Sequence, residues 1–214
     1  MINLYLGDSL EAMRAMDNNA YDIAIVDPPY GINIVKHMVH DQQSNSMYGQ
    51  SWANYDTSGT LWDSEIPPPE YFTELRRVSR NQIIWGGNYF IDYLSNTKCM
   101  LVWNKHNGGN PLADCELAWT SYNKPVRMFT MHHFAAGYGK KIHPTQKPVA
   151  LYQWILDKFA KPGDRILDTH LGSGSIAIAC HNAGYALDAW EISPEYHANA
   201  VARFNEHTRQ LRLF

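Results

Sequence analysis

The chain has 214 residues, 45% of them hydrophobic and 18% charged, with a formal net charge of −3. That length supports one sizeable α/β core and not several, and no apolar run has the length of a membrane span or the pattern of a signal peptide. Cys99, Cys115 and Cys180 are odd in number and widely spaced. They fit neither a disulfide framework nor a structural zinc site and point to a reducing cytoplasm.

Taken in chain order, Ile2–Leu6 reads as a strand ending at Gly7-Asp8, with Ser9 capping a short helix to Met16. Tyr21–Val26 has the apolar tail of a buried strand. A polar stretch follows from residue 31 to 60, and eleven of the twenty residues from Asp41 to Thr60 are Ser, Thr, Asn or Gln. A loop this long inside a compact domain is read as functional. Pro67-Pro68-Pro69 opens a helix from Glu70 to Ser79 with an apolar stripe at Phe72, Leu75 and Val78. Gln82–Trp85 reads as a strand, Tyr89–Leu94 as a short helical stretch, and Met100–Trp103 and Glu116–Thr120 as two more strands. Pro148 starts a helix to Phe159, closed by Lys161-Pro162-Gly163. A strand at Arg165–Leu167, a helix over Ile176–Cys180 and a strand from Tyr185 to Glu191 come next. Ser193-Pro194-Glu195 then starts a helix toward Arg209. Strands alternating with helices predict a mainly parallel sheet with helices on both faces. The whole chain, 1–214, reads as one domain carrying insertions at about 31–61 and 104–142.

Two segments carry chemistry. Asp27-Pro28-Pro29-Tyr30 follows the apolar strand. Asp27 can accept one N–H of a planar amino group, the rigidly held Pro28 carbonyl the other, and Tyr30 offers an aromatic face. Far downstream, Asp168-Thr169-His170-Leu171-Gly172-Ser173-Gly174-Ser175 is a glycine-rich turn between strand and helix. Glycines there admit a ligand close to the backbone, and the helix start supplies free N–H groups. Gly172-x-Gly174-x-x-Ala177 fits a nucleotide-cofactor fingerprint, with Glu191 placed to hold ribose hydroxyls. NAD, FAD and S-adenosylmethionine sites share that signal. If the strands before Asp27 and Asp168 are neighbours, the amino-group grip faces the cofactor across one cleft.

With Gly7-Asp8-Ser9-Leu10, Asp27-Pro28-Pro29-Tyr30-Gly31, Ile83 through Tyr89, His143-Pro144-Thr145-Gln146-Lys147-Pro148, and Asp168 through Ser175 with Glu191, the chain resembles the DNA amino-methyltransferases. The likeness is to the β class, with the acceptor motif first and the cofactor motif last. The family's glycine loop usually begins Asp-Pro-Phe, where this chain has Asp168-Thr169-His170. The resemblance implies a permuted Rossmann-like fold, S-adenosylmethionine as cofactor, DNA as partner and a bacterial or phage enzyme acting on adenine N6. Cytosine N4 is the alternative, with a leading Asp27 favouring adenine. A dimer agrees with the resemblance, which leaves a restriction partner open. It places Lys147, with Thr145 and Gln146, at the cofactor's methionine carboxylate. Asp168, His170 and Gly172-Ser173-Gly174 surround the methionine portion, Asp27 also counts among the cofactor contacts, and Asp8 faces the cofactor's adenine.

From Asn104 to Lys147 six bases stand against two acids. Lys105, Lys124, Arg127, Lys140 and Lys141, with Lys36 and His37 upstream, are therefore expected to contact DNA phosphates. The little room between Lys105 and Lys141 predicts a short or relaxed target sequence. His37-x-x-His40 and His132-His133 lack the partners of a metal site. A nicotinamide oxidoreductase would leave Asp27–Tyr30 without a use; an RNA methyltransferase or a catalytically dead cofactor-binding protein remain as alternatives.

Overall fold

The computed structural model describes residues 1–34, 62–106, 113–132 and 142–209. Eight strands form one sheet: β1 (Ile2–Leu6), β2 (Tyr21–Val26), β3 (Ser79–Trp85), β4 (Met100–Asn104), β5 (Cys115–Thr120), β6 (Arg127–Thr130), β7 (Arg165–Asp168) and β8 (Ala186–Glu191). Their order is β1-β8-β7-β2-β3-β5-β4-β6. All neighbours run parallel except β5, which is antiparallel to both β3 and β4.

The expected neighbours are neighbours. β2 pairs in parallel with β7, Ile23 opposite Ile166 and Ala24 opposite Leu167. From β2 the chain crosses to β3 on one side, and from β7 to β8 on the other. The crevice between them is thus the point where the winding reverses, where open α/β sheets hold ligands.

The helices are α1 (Ser9–Arg14), α2 (Pro69–Val78), α3 (Val149–Phe159), α4 (Ser175–Ala183) and α5 (Pro194–Arg209). Successive β2 side chains go to opposite faces. Ile23 and Ile25 join a core with Leu151, Ile155 and Ile176 from α3 and α4. Ala24 and Val26 join Met13 of α1 and Phe72, Leu75 and Val78 of α2. Cover on both faces explains why β2 reads as a continuous apolar run and not as an alternating one. Each large aliphatic chain so buried contributes about 2 kcal/mol. At the foot of the sheet Asp188 of β8 accepts from Asn3 of β1 and Tyr21 of β2, and pairs with Arg165 of β7 at 3.1 Å. One carboxylate thereby ties four adjacent strands.

Three expectations change. Asp8, not Ser9, caps α1, accepting from the Leu10 and Glu11 N–H groups at 2.7 and 3.4 Å, and that helix ends at Arg14, short of Met16. The stretch after β3 is two 3-10 turns, Gly87–Tyr89 and Ile91–Tyr93. Strand β6 was not anticipated: on a sheet edge, with Arg127, Met128 and Thr130 all exposed, it shows no buried alternation to read. Among the described residues no helix is long and apolar enough to cross a membrane.

Candidate active site

Asp27 follows the last residue of β2, and Asp168 and Glu191 are the last residues of β7 and β8. Because β5 runs the other way, its second residue, Glu116, comes to this same end, beside Lys105 just past β4. The site is one rim of the sheet.

On the β2 side, the Tyr30 hydroxyl donates to Asp27 Oδ1 at 2.7 Å, and Lys147 Nζ donates to Asp27 Oδ2 at 2.5 Å. The Lys147 side chain is only 2% exposed and its ammonium also lies 3.0 Å from Glu116. Lys105 pairs with Glu116 at 2.5 Å. Four charges therefore alternate in sign along Asp27, Lys147, Glu116 and Lys105. Burial works against the Glu116 carboxylate, but Lys147 and Lys105 outweigh it and pull its pKa down to about 2. Burial likewise opposes the Lys147 ammonium, and Asp27 and Glu116 overcome it, raising its pKa. Asp27 is pushed up by burial, with Lys147 acting against the rise.

The turn after Asp27 is held from outside the motif. Asp63, itself buried, accepts from the backbone N–H groups of Tyr30 and Gly31 at 2.7 and 3.0 Å through Oδ1, and of Ile34 at 3.0 Å through Oδ2. The Tyr30 ring stacks on Tyr89 with centroids 4.9 Å apart and meets Phe90 edge-on. Gly86, at φ +71°, passes so close that a Cβ there would lie 2.2 Å from Tyr30 Cε1. Tyr30 is thus more than an open stacking face: its hydroxyl serves Asp27, and Tyr89 already packs on its ring. Trp85 is core, with the Lys147 ammonium 5.3 Å from its ring centroid, and Asn88 is exposed.

The β7 side is built from backbone. Glu191 accepts from Gly172 N through Oε2 and from Ser193 N through Oε1, both at 2.9 Å. Gly174 takes φ +71° to start α4, a conformation an L side chain resists. Arg203 of α5 donates to the Ser173 carbonyl and the Ser175 hydroxyl. Asp168 is 2% exposed and accepts the His170 N–H at 3.0 Å. No ion pair among the described residues holds it, and burial pushes its pKa up to about 8. The unusual Thr169 sits 2.6 Å from the buried Tyr71 hydroxyl and 2.9 Å from His170 Nδ1. Burial lowers the His170 pKa to about 4, so its ring is neutral. Thr169 thus gives the phenol of α2 a partner that a proline could not.

His143 packs on Tyr196 and Trp62, and burial drops its pKa to about 3. Gln146 Oε1 accepts the Ile142 N–H, and Thr145 Oγ1 lies 3.1 Å from His143 Nδ1. These contacts shape the segment that delivers Lys147. Asp8 sits beside β8, because Gly7 N donates to the Glu191 carbonyl. One of its oxygens is spent on the α1 cap.

The expected phosphate contacts fare differently. Lys105 is committed to Glu116 inside the site. Lys124 donates to the Lys158 carbonyl near the end of α3 and lies over Phe159. Arg127 opens β6 opposite Leu101, near the start of β4. Both Lys124 and Arg127 therefore sit at the foot of the parallel strands, away from the rim, and do not flank the cleft. Lys36, His37, Lys140 and Lys141, with most of the 31–60 stretch, lie outside the described residues. Glu116 and Asp63 were missed by sequence reading. An acid opening a strand is an unremarked pattern, and only a partner for the buried Lys147 would have drawn attention to Glu116.

Comparison with known proteins agrees with this layout. Residues 59–202 match the DNA methylase family model for N6 and N4 enzymes. The type II methyltransferase M.HpaI of Haemophilus parainfluenzae is 21% identical over 94% of this chain and 74% of its own length. Among solved structures, the M1.HpyAVI complex with S-adenosylmethionine superposes at a TM-score of 0.63, with 21% identity over 95% of this chain and all of that one. The cytosine-N4-specific PvuII DNA methyltransferase superposes at 0.61, with 14% identity over 97% and 90% of the two chains. The chain belongs to the DNA methylase family that contains both adenine-N6 and cytosine-N4 enzymes.

Proposed function

We propose that the protein transfers a methyl group from S-adenosylmethionine to the exocyclic N6 of adenine in DNA. The observation that carries this is the pairing of β2 with β7, which sets Asp27 across one crevice from the glycine turn at Asp168–Ser175.

The residues on the β7 side fit that cofactor. Asp168, buried without a paired cation, suits the methionine ammonium. Each Glu191 oxygen accepts one N–H and keeps a lone pair for a ribose hydroxyl. Gly172, Ser173 and Gly174 present backbone to the ligand, with His170 beside them. Lys147, Thr145 and Gln146 are assigned to the carboxylate end, and the free oxygen of Asp8 to the adenine amino group. Bound here, S-adenosylmethionine supplies an electrophilic methyl on a sulfonium.

On the β2 side, an adenine amino nitrogen is a weak nucleophile because its lone pair is delocalised into the ring. Asp27 accepts one of its N–H groups and the Pro28 carbonyl the other, which localises the lone pair on nitrogen. Tyr30 and Lys147 each use one position on the carboxylate, leaving further lone pairs for the substrate. The same carboxylate stabilises positive charge growing on nitrogen. Positioning and electrostatics dominate such a step, not strong general-base chemistry. A base inside a duplex cannot reach Asp27, so the target is flipped out of the stack.

The test is incubation of unmethylated DNA with labelled S-adenosylmethionine, followed by nucleoside mass spectrometry. N6-methyladenine is expected. N4-methylcytosine would keep the site and overturn the base, as the likeness to a cytosine-N4-specific enzyme allows.

A further inference from the structure

We infer that Glu116 is a positioning residue for the transfer: it sets negative charge behind the Lys147 ammonium that Asp27 holds, so that the Asp27 carboxylate stays a strong acceptor for the target amino group. The inference rests on the methyl-transfer reading above.

Three observations carry it. First, Lys147 is bracketed by two carboxylates, at 2.5 Å from Asp27 and 3.0 Å from Glu116. A buried Asp27–Lys147 pair is already neutral, so charge balance alone calls for no further acid. Second, Glu116 is itself mostly buried, its side chain 22% exposed, and burying an extra ion pair carries a desolvation cost that an apolar pair would avoid. Third, Glu116 comes with its own counter-ion, Lys105 at 2.5 Å. The addition is thus neutral overall yet places negative charge specifically behind Lys147. The charge on Glu116 offsets part of the Lys147 charge that Asp27 feels, while the donated hydrogen bond stays on Asp27. Asp27 keeps more electron density for the substrate N–H, at the point where positive charge grows on the amino nitrogen.

The groups facing Asp27 are Lys147, Tyr30, Glu116, Asp168 and Tyr71, from the segment before α3, from β5, β7 and α2, and from its own turn. Of these, Glu116 raises the Asp27 pKa through its charge. Removing that charge lowers the pKa, and removing Lys105, which partly neutralises Glu116, raises it. The two variants therefore move the acid limb of the rate profile in opposite directions.

The experiment is single-turnover transfer to unmethylated DNA as a function of pH, with the cofactor Kd, for the full-length parent, Glu116→Gln, Glu116→Asp and Lys105→Gln. Glu116→Gln is expected to be about 10- to 100-fold slower, with its acid limb at lower pH and a cofactor Kd no weaker than the parent's. Glu116→Asp recovers rate and limb toward the parent, and Lys105→Gln shifts the limb to higher pH. If Glu116→Gln fails to fold, Lys105→Gln decides alone: an upward limb supports the inference, and an unmoved or lowered limb overturns it. A parent that methylates DNA while Glu116→Gln matches it in rate and limb overturns the inference and leaves the methyl-transfer reading standing. A parent with no transfer to DNA removes that reading and this inference with it.

Discussion

The two walls of the cleft are made of different material. The β7 wall is backbone: a left-handed glycine at Gly174, a turn closed by Glu191 onto Gly172, and an arginine on a carbonyl. The β2 wall is buried charge: Asp27, Lys147 and Glu116 drawn from segments up to 120 residues apart, with Lys105 behind them. Hydrogen bonds to the backbone hold the glycine turn in one place. A chain of alternating charges can instead tune how strongly one carboxylate accepts. The difference teaches that the wall proposed to bind the cofactor is largely local in sequence, whereas the wall proposed to react is assembled by the fold.

Four substitutions break or sharpen that contrast. The largest effect is expected at Gly86→Ala. Its Cβ would strike Tyr30 at 2.2 Å and the residue sits at φ +71°, so Tyr30 must leave Asp27. Transfer should drop on the order of 100-fold with cofactor affinity intact, measured by single-turnover rates and titration calorimetry. Asp63→Ala strands three backbone N–H groups of the acceptor turn. It should cost about 3 kcal/mol in chemical denaturation and slow transfer about 10-fold.

On the other wall, Asp168→Asn separates stability from binding. The carboxyl holds its proton to about 8 in the folded chain, whereas an unfolded aspartate loses it near pH ~4. Between those values the folded state binds more protons, so this group's contribution to stability falls as pH rises. The amide has no such slope. Thermal denaturation should show the variant gaining on the parent from pH 4 toward pH 8, while its cofactor affinity falls about 10-fold. Arg203→Ala should do least. Loss of two hydrogen bonds to the glycine turn should cost about 1 kcal/mol and weaken the cofactor only a few-fold, with no change in the pH profile of transfer.

Legibility in the sequence follows the same divide. The β7 wall could be read because strand, glycine turn, helix and ribose acid are contiguous and each has a backbone reason to be there. Strands β2 and β7 showed as apolar runs because the sheet is covered on both faces, whereas their adjacency stood only as a condition that the fold meets. Asp27 was visible for the same local reason. Its partners were not. Lys147 stood out only through a family motif, and its contacts with Asp27 and Glu116 are made by the fold. Glu116 lies at the rim because β5 runs antiparallel, a direction that its residues do not announce. Counting bases from Asn104 to Lys147 treated Lys105 and Lys147 as free positive charge. Both pair with acids inside the site, and Lys124 and Arg127 lie at the foot of the parallel strands. Charge along a sequence is not charge on a surface.

The proposed transfer needs Asp27 as the acceptor, across the cleft from a separately built wall for the proposed cofactor. The most direct measurement is methyl transfer to DNA by Asp27→Ala beside the parent, with the S-adenosylmethionine Kd of each. Transfer lost with the Kd retained is the predicted result. Transfer that survives in Asp27→Ala, or cofactor binding that disappears along with it, would contradict the division of the two walls.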